Sequence, residues 1–354
     1  MKVNIVSTFT RNCGIGQYTE HLGKQLSKQE LDVQVYRKDG PDDDVFNSYP
    51  YRSFRSWQHR VAPFFLRQAI RKQEADLWHA DYVSSFDALA CARVGKQSIV
   101  TVHDAIPFHY PGNAIDFRFY KNQLKKAIKQ AKFLVTVSET ARLDLIKQAG
   151  VDPSKVVSIP NGINVSAFQP KTKPEEYKVF TIRYLGGLGA PHKNVAMLLY
   201  MAQMLEQDGI DFKLELGGYL PERHALRDLV AELELKNVAF PGFIPDEEKA
   251  NFLAGADLFV FPSLMEGFGF PPMEAMAAGT AVLASNIPVF EELIGDAALL
   301  VDPKAEWFAR GVKDIMKSKT LAEDLSMMGQ EHVRQYTWDR VAQQTLALYQ
   351  RALN

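Results

Sequence analysis

The sequence predicts an α/β protein of two doubly wound, parallel-sheet domains in tandem, and three observations lead there. At 354 residues the chain exceeds the length at which one hydrophobic core usually keeps growing. Short β-branched runs alternate with amphipathic stretches of about 10–15 residues, the pattern of βαβ units. A segment rich in proline, asparagine and lysine, NGINVSAFQPKTKPEEYK (161–178), interrupts that alternation near the middle and reads as a linker.

Before the linker, strands are expected at 3–9, 32–37, 75–80, 98–104, 133–138 and 156–160. After it they are expected at 180–187, 212–218, 238–243, 257–263, 281–285 and 298–302, and the chain closes on helices, the last beginning near Trp338. In such sheets ligands bind outside the strand carboxyl ends, here in a cleft that both domains face.

Composition narrows the function classes. The start, MKVNIVSTF, reads as a first strand rather than a signal peptide, and no apolar run approaches the roughly 18 residues of a membrane span. Cys13 and Cys91 form no metal or redox spacing, which fits a reduced, cytoplasmic protein. The net charge of −1 hides an asymmetry: residues 1–160 hold 23 Lys and Arg against 16 Asp and Glu, a net of +7, and the remainder nets −8. The excess is concentrated at 51–72, where Trp57, Phe64, Phe65 and Leu66 are interleaved with six basic residues, and at 118–132; neither stretch has an acid. Two readings fit: a solvated helix face, or a surface resting on an anionic membrane. Nothing points to nucleic acid.

The candidate site residues fall just past the expected strand ends. Gly14 and Gly16, in TRNCGIGQYTEHL, precede an amphipathic helix, where glycines let backbone N–H groups approach an anion. A tight turn without ligand uses the same residues, and the third glycine of a dinucleotide fingerprint is missing, its place taken by Thr19. His103 and Asp104 follow the strand SIVTV; the histidine fits either a structural or a catalytic role. Lys193, in YLGGLGAPHKN, lies just before a helix, where a lysine can neutralise a phosphate. Phe243 and Ile244 precede a helix capped by Asp246 and form an apolar lip for a nucleobase, or part of the core.

EGFGFPPME (266–274) sets Glu266 and Glu274 seven residues apart in the E-x7-E sense, around a glycine–phenylalanine turn and two prolines. Pro271 and Pro272 suit the first positions of a helix and Gly279 its end. This places Glu274 in the first turn, with Glu266 on the loop facing the same pocket. Two carboxylates beside an anion-binding helix end suit hydroxyl donors, as in a nucleotide-sugar.

EGFGFPPMEAMAAGTAVLAS resembles the E-x7-E signature of the retaining glycosyltransferases of family 4, which have the GT-B fold. The likeness extends through GIGQYTEHL, TVHDAIPFHYP, FLVTVSETARLDLIK, SIPNGIN and YTWDRVA. It implies an N-terminal acceptor-side domain (1–165) completed by a C-terminal crossover helix (336–354), and a donor-binding domain (166–335). It implies that Glu274 binds the ribose hydroxyls, and that Glu266 with the backbone of Phe268, Gly269 and Phe270 holds the donor sugar. Lys193 then stabilises the diphosphate, backed by Gly14 and Gly16, and His103 lies near the sugar and the reacting phosphate. No cofactor and no catalytic metal are expected.

One departure from the family pattern stands out: Gly187 occupies a position where an arginine is frequent, leaving Arg183, His192 and Arg11 as candidate cationic partners of Lys193. The motifs look most like bacterial-type mannosyltransferases of polysaccharide or glycolipid assembly. That implies transfer of mannose from GDP-mannose to a glycan or lipid-linked acceptor, at the inner membrane face if the basic stretches bind lipid. A UDP-glucose or UDP-GlcNAc donor stays open, as do a sugar phosphorylase, an epimerase and a non-catalytic sugar-nucleotide sensor; an incomplete fingerprint disfavours an NAD-dependent oxidoreductase.

Overall fold

The computed structural model describes residues 1–11, 13–50, 58–92, 97–168 and 179–354, without the side chains of 58–60. Two compact units emerge: Met1–Gly162 with Thr337–Asn354, and Ile163–Tyr336.

The first unit is built on a seven-stranded sheet of β1 (Lys2–Val6), β2 (Asp32–Arg37), β3 (Phe46–Ser48), β4 (Leu77–Ala80), β5 (Ser98–Thr101), β6 (Phe133–Thr136) and β7 (Val156–Ser158). The strand order is β3-β2-β1-β4-β5-β6-β7, with every pairing parallel. Its central strands are buried end to end, β4 and β5 at all four positions, as a sheet covered on both faces requires. The direction of winding reverses between β1 and β4, the switch point where such sheets bind ligands.

The final helix, Trp338–Leu353, packs with this unit. Thr337 caps it by accepting the Arg340 N–H at 3.2 Å. Trp338 stacks on His21, and the Tyr349 hydroxyl reaches Nδ1 of His79 at 2.7 Å.

The second unit holds β8 (Phe180–Leu185), β9 (Phe212–Gly217), β10 (Val238–Gly242), β11 (Leu258–Phe261), β12 (Val282–Ser285) and β13 (Leu299–Val301). The order β10-β9-β8-β11-β12-β13 is again all parallel, and its switch point lies between β8 and β11. All twelve expected strands are present; β3 is the additional one. Of the expected linker, 169–178 lies outside the described residues, as do 51–57 of the first basic stretch, Trp57 included. Among the described residues, no helix is long and apolar enough to cross a membrane.

Candidate active site

In the second unit the site grows from the loops that leave β8 and β11, the two strands flanking the switch point. After β8 the chain turns through a short 3-10 segment, Pro191–Lys193, and a left-handed Asn194 before the helix Val195–Gln207. After β11 it runs through Ser263 to Glu266. The Leu264 N–H donates to the His192 carbonyl at 2.7 Å, stitching the two loops together. Lys193 Nζ donates to Glu266 Oε1 at 2.5 Å, and Ser263 Oγ donates to the same oxygen at 2.7 Å. Lys193 also lies over the Phe261 ring, 5.2 Å from its centroid. The pair is largely withdrawn from solvent, with side-chain exposures of 18% and 9%, so each charge depends strongly on the other.

Of the three cations considered for Lys193, Arg183 is engaged elsewhere in the second unit. It lies opposite Glu215 in the β8–β9 register, binds that carboxylate at 2.7 Å, donates to the Phe252 carbonyl and stacks on the Phe252 ring. His192 is the neighbour within range of both charges. Burial and then Lys193 lower its pKa, while Glu266 opposes them. Arg11 belongs to the first unit, where its N–H donates to Asp39.

The helix after the signature loop spans Phe270–Ala277. Gly269 adopts φ +94°, and a Cβ there would meet the Phe290 ring at 2.6 Å, so glycine is required both by backbone conformation and by space. This turn makes Phe270 the first helical residue, and Glu274 therefore falls in the second turn rather than the first. The two glutamates of the signature differ in their contacts. Glu266 binds Lys193 and Ser263, whereas Glu274 is buried, 7% exposed. Burial pushes the Glu274 pKa up, Lys249 pulls it down and Asp246 pushes it up. Asp246 is itself the first residue of the helix Asp246–Ala254, with Pro245 as the cap. Phe268 is buried against Phe270 and Tyr336. Ile244 is buried, while Phe243 is 59% exposed.

In the first unit the candidate residues again flank the switch point. Gly14 and Gly16 do not precede the helix but open it, since it spans Gly14–Leu26 with Cys13 as the cap. A Cβ on Gly16 would lie 2.0 Å from the Thr10 carbonyl oxygen, so this glycine lets the loop close over the helix end. His103 is buried with Nε2 3.0 Å from the Asp81 carbonyl. A carbonyl only accepts, so Nε2 carries the proton and Nδ1 is left as an acceptor. Burial lowers the His103 pKa to about 4, keeping the ring neutral at pH 7.

Asp81, which sequence reasoning missed, follows β4 and gathers hydroxyls: Ser85 at 2.6 Å and Thr19 at 2.8 Å. Burial pushes its pKa up to about 6 despite the hydroxyls of Ser7, Ser85 and Thr19, which lower it. Ser263 and Lys249 were also missed. The signal for Ser263 was a hydroxyl three residues before Glu266 at a strand end. Among the described residues, no cluster of three His, Cys, Asp or Glu could hold a metal.

Two family models match the chain: "Glycosyltransferase Family 4" over residues 13–167 and "Glycosyl transferases group 1" over 167–332. The O-antigen chain mannosyltransferase RfbU of Salmonella typhimurium is 31% identical over 249 residues, which cover 70% of this chain and 68% of that protein. The O-antigen chain mannosyltransferase B of Escherichia coli is 27% identical, with 95% of each chain covered. Among solved structures, sucrose-phosphate synthase from Thermosynechococcus elongatus superposes with a TM-score of 0.83 at 21% identity, covering 99% of this chain and 98% of that one. The two sheets and these likenesses are those of the GT-B fold. The chain belongs to glycosyltransferase family 4.

Proposed function

We propose that this glycosyltransferase moves mannose from GDP-mannose to a glycan or lipid-linked acceptor, with retention at the anomeric carbon and without a catalytic metal. The observation that supports this reading most is the Lys193–Glu266–Ser263 cluster at the β8–β11 switch point. It offers one cation to a diphosphate and one carboxylate to sugar hydroxyls. The relatives whose names specify mannosyl transfer support the choice of sugar.

In this reading Lys193, with His192 beside it, meets the leaving diphosphate, whose growing negative charge is what fixed positive groups stabilise. Glu266 and the backbone of Phe268, Gly269 and Phe270 hold the sugar. Glu274 takes the ribose hydroxyls; burial raises its pKa, and Lys249 draws it back down. Ile244 supports the base. His103, Gly14 and Gly16 enter on the family resemblance, with His103 Nδ1 as the acceptor for a sugar hydroxyl. Glu266 is committed to hydroxyls, so a front-side route is favoured over double displacement, the departing phosphate taking the acceptor's proton.

The test measures thermal stability with GDP, UDP and ADP, each with magnesium and with a chelator. A ligand at a hundredfold excess over its Kd stabilises the folded state by about 2.7 kcal/mol. A chelator-independent shift with GDP alone is the expected result, followed by an α-linked first product from GDP-mannose in the anomeric NMR signals. A shift with UDP alone moves the donor to a UDP-sugar. No shift with any of them overturns the nucleotide-sugar reading and returns the phosphorylase.

Two helices of the first unit support contact with an anionic membrane. Gln58–Ile70 exposes Phe64 and Arg67, and Ala114–Gln130 exposes Ile115, Arg118, Lys125 and Lys129. Both pack on the helix Val83–Cys91. Pelleting with phosphatidylserine vesicles that weakens as salt rises is expected; failure to pellet at low salt would remove the idea.

A further inference from the structure

We infer that Ser263 is a positioning residue that decides which oxygen of Glu266 meets the donor sugar. The inference rests on the donor-binding role proposed for Glu266. Ser263 lies two residues beyond β11 and is completely buried, yet its hydroxyl is spent on one partner, Oε1 of Glu266, at 2.7 Å. A carboxylate offers no proton, so the hydroxyl must donate. Lys193 Nζ donates to the same oxygen at 2.5 Å. Two donors occupy Oε1, and among the described residues Oε2 has no hydrogen-bond partner. The carboxylate is therefore presented asymmetrically, with Oε1 held by the protein and Oε2 left for a hydroxyl.

Lys193 cannot do this alone. Its charge is the one a diphosphate would recruit, and a Glu266 held only by Lys193 would follow the ammonium as it shifts toward phosphate. Ser263 is neutral, and the main chain on either side of it is fixed: β11 pairs with β8 and β12 on one side, and the Leu264 N–H binds the His192 carbonyl on the other. Its hydroxyl keeps Oε1 in place whichever ligand Lys193 faces. Loss of that hydroxyl should leave diphosphate recognition intact and weaken recognition of the sugar.

The experiment compares GDP and GDP-mannose as ligands of the wild type, Ser263→Ala, Glu266→Ala and the double variant, by calorimetric titration and by kcat/KM for transfer. Loss of one charge-assisted hydrogen bond predicts about tenfold weaker GDP-mannose binding in Ser263→Ala, with GDP affinity within about twofold of wild type. In the Glu266→Ala background, Ser263→Ala should add no further loss, because Ser263 acts only through that carboxylate. Equal weakening of GDP and GDP-mannose, or a fully additive loss in the double variant, overturns the inference and leaves the donor reading standing. If the wild type prefers UDP, UDP and UDP-glucose take the same places and the same outcomes decide. A wild type that binds no nucleoside diphosphate sinks the donor reading and the inference with it.

Discussion

The switch points of the two sheets are built from opposite materials. Between β8 and β11 the second unit sets a full positive and a full negative charge together, Lys193 on Glu266, with a serine hydroxyl as the third member. Around β1, β4 and β5 the first unit arranges hydroxyls and neutral histidines around one buried carboxyl, Asp81, without a cation paired to it in the hydrogen bonds described. His79 is wholly buried, its Nδ1 on the Tyr349 hydroxyl and its Nε2 on Thr101 at 2.8 Å, and Thr101 in turn meets the Tyr18 hydroxyl at 3.0 Å. The Tyr18 ring stands edge-on to His103, 4.9 Å between centroids. Burial lowers the His79 pKa to about 3 and raises that of Asp81 to about 6. The same doubly wound scaffold thus presents an ion pair in one unit and a hydroxyl network around a buried carboxyl in the other. The first fits the proposed role of meeting a diphosphate, and the second holds its groups in place through hydrogen bonds.

The sharpest way to break this contrast is to remove the charge. Lys193→Ala is expected to lower kcat/KM by about 10²–10³, the usual cost of losing a donor aimed at developing charge. It should also lower the melting temperature, since Glu266 is left without its counter-charge. Replacing both partners, as Lys193→Met with Glu266→Gln, should recover stability without recovering transfer. Recovery of transfer in the double variant would show that the pair is structural only.

The first unit should respond to pH in two opposing ways. His79 has a depressed folded-state pKa, so between its unfolded value of 6.5 and about 3 the native state binds fewer protons and stability falls as pH falls. Asp81 has a raised one, so between 3.8 and about 6 the native state binds more protons and stability falls as pH rises. Each contributes a slope of up to about 1.4 kcal/mol per pH unit, of opposite sign, within their shared window. Urea denaturation from pH 4 to 7 should therefore show a steeper acid-side loss in Asp81→Asn and a shallower one in His79→Gln. Parallel slopes in all three proteins would show that neither group titrates as its surroundings dictate.

The smallest effect sharpens the charged side. A Cβ at Gly187 would meet nothing within 4 Å, so Gly187→Arg can be accommodated and would add a second fixed cation beside the proposed diphosphate site. A severalfold gain in affinity for the nucleoside diphosphate is expected, about 1 kcal/mol for an added partly exposed charge. No gain by calorimetric titration would mean that His192 already fills that role.

Much of the architecture was legible from the residues. Alternation of β-branched runs with amphipathic stretches located twelve strands, and Gly279 marked the end of the signature helix, while Asp246 proved to be the first residue of its helix rather than the cap. The strand that escaped, β3, has three residues, too few to show a period of two. Its backbone is ordered by carboxylates, Asp43 accepting the Phe46 N–H at 2.7 Å and Asp42 accepting the Ser48 N–H at 2.5 Å. Lys193 and Glu266 could be singled out because strand ends and helix starts are where doubly wound sheets bind ligands. Their pairing could not, because it joins residues 73 apart through the neighbouring of β8 and β11. The helix at Phe270 began one residue earlier than the prolines imply, because the left-handed Gly269 turns the chain first.

Local chemistry in the sequence was enough to determine the fold class, the glycines that only a missing Cβ permits, and the residue types that suit a phosphate and a sugar. The tertiary structure alone decided which of those residues meet. Sheet register spent Arg183 on Glu215, Asp81 became a hub for hydroxyls as far off as Thr19, 62 residues away, and a buried serine came to rest on Glu266. Periodicity and propensity act between neighbours in the chain, whereas an ion pair or a hydrogen bond depends on a few ångströms of space that only strand order and packing bring about.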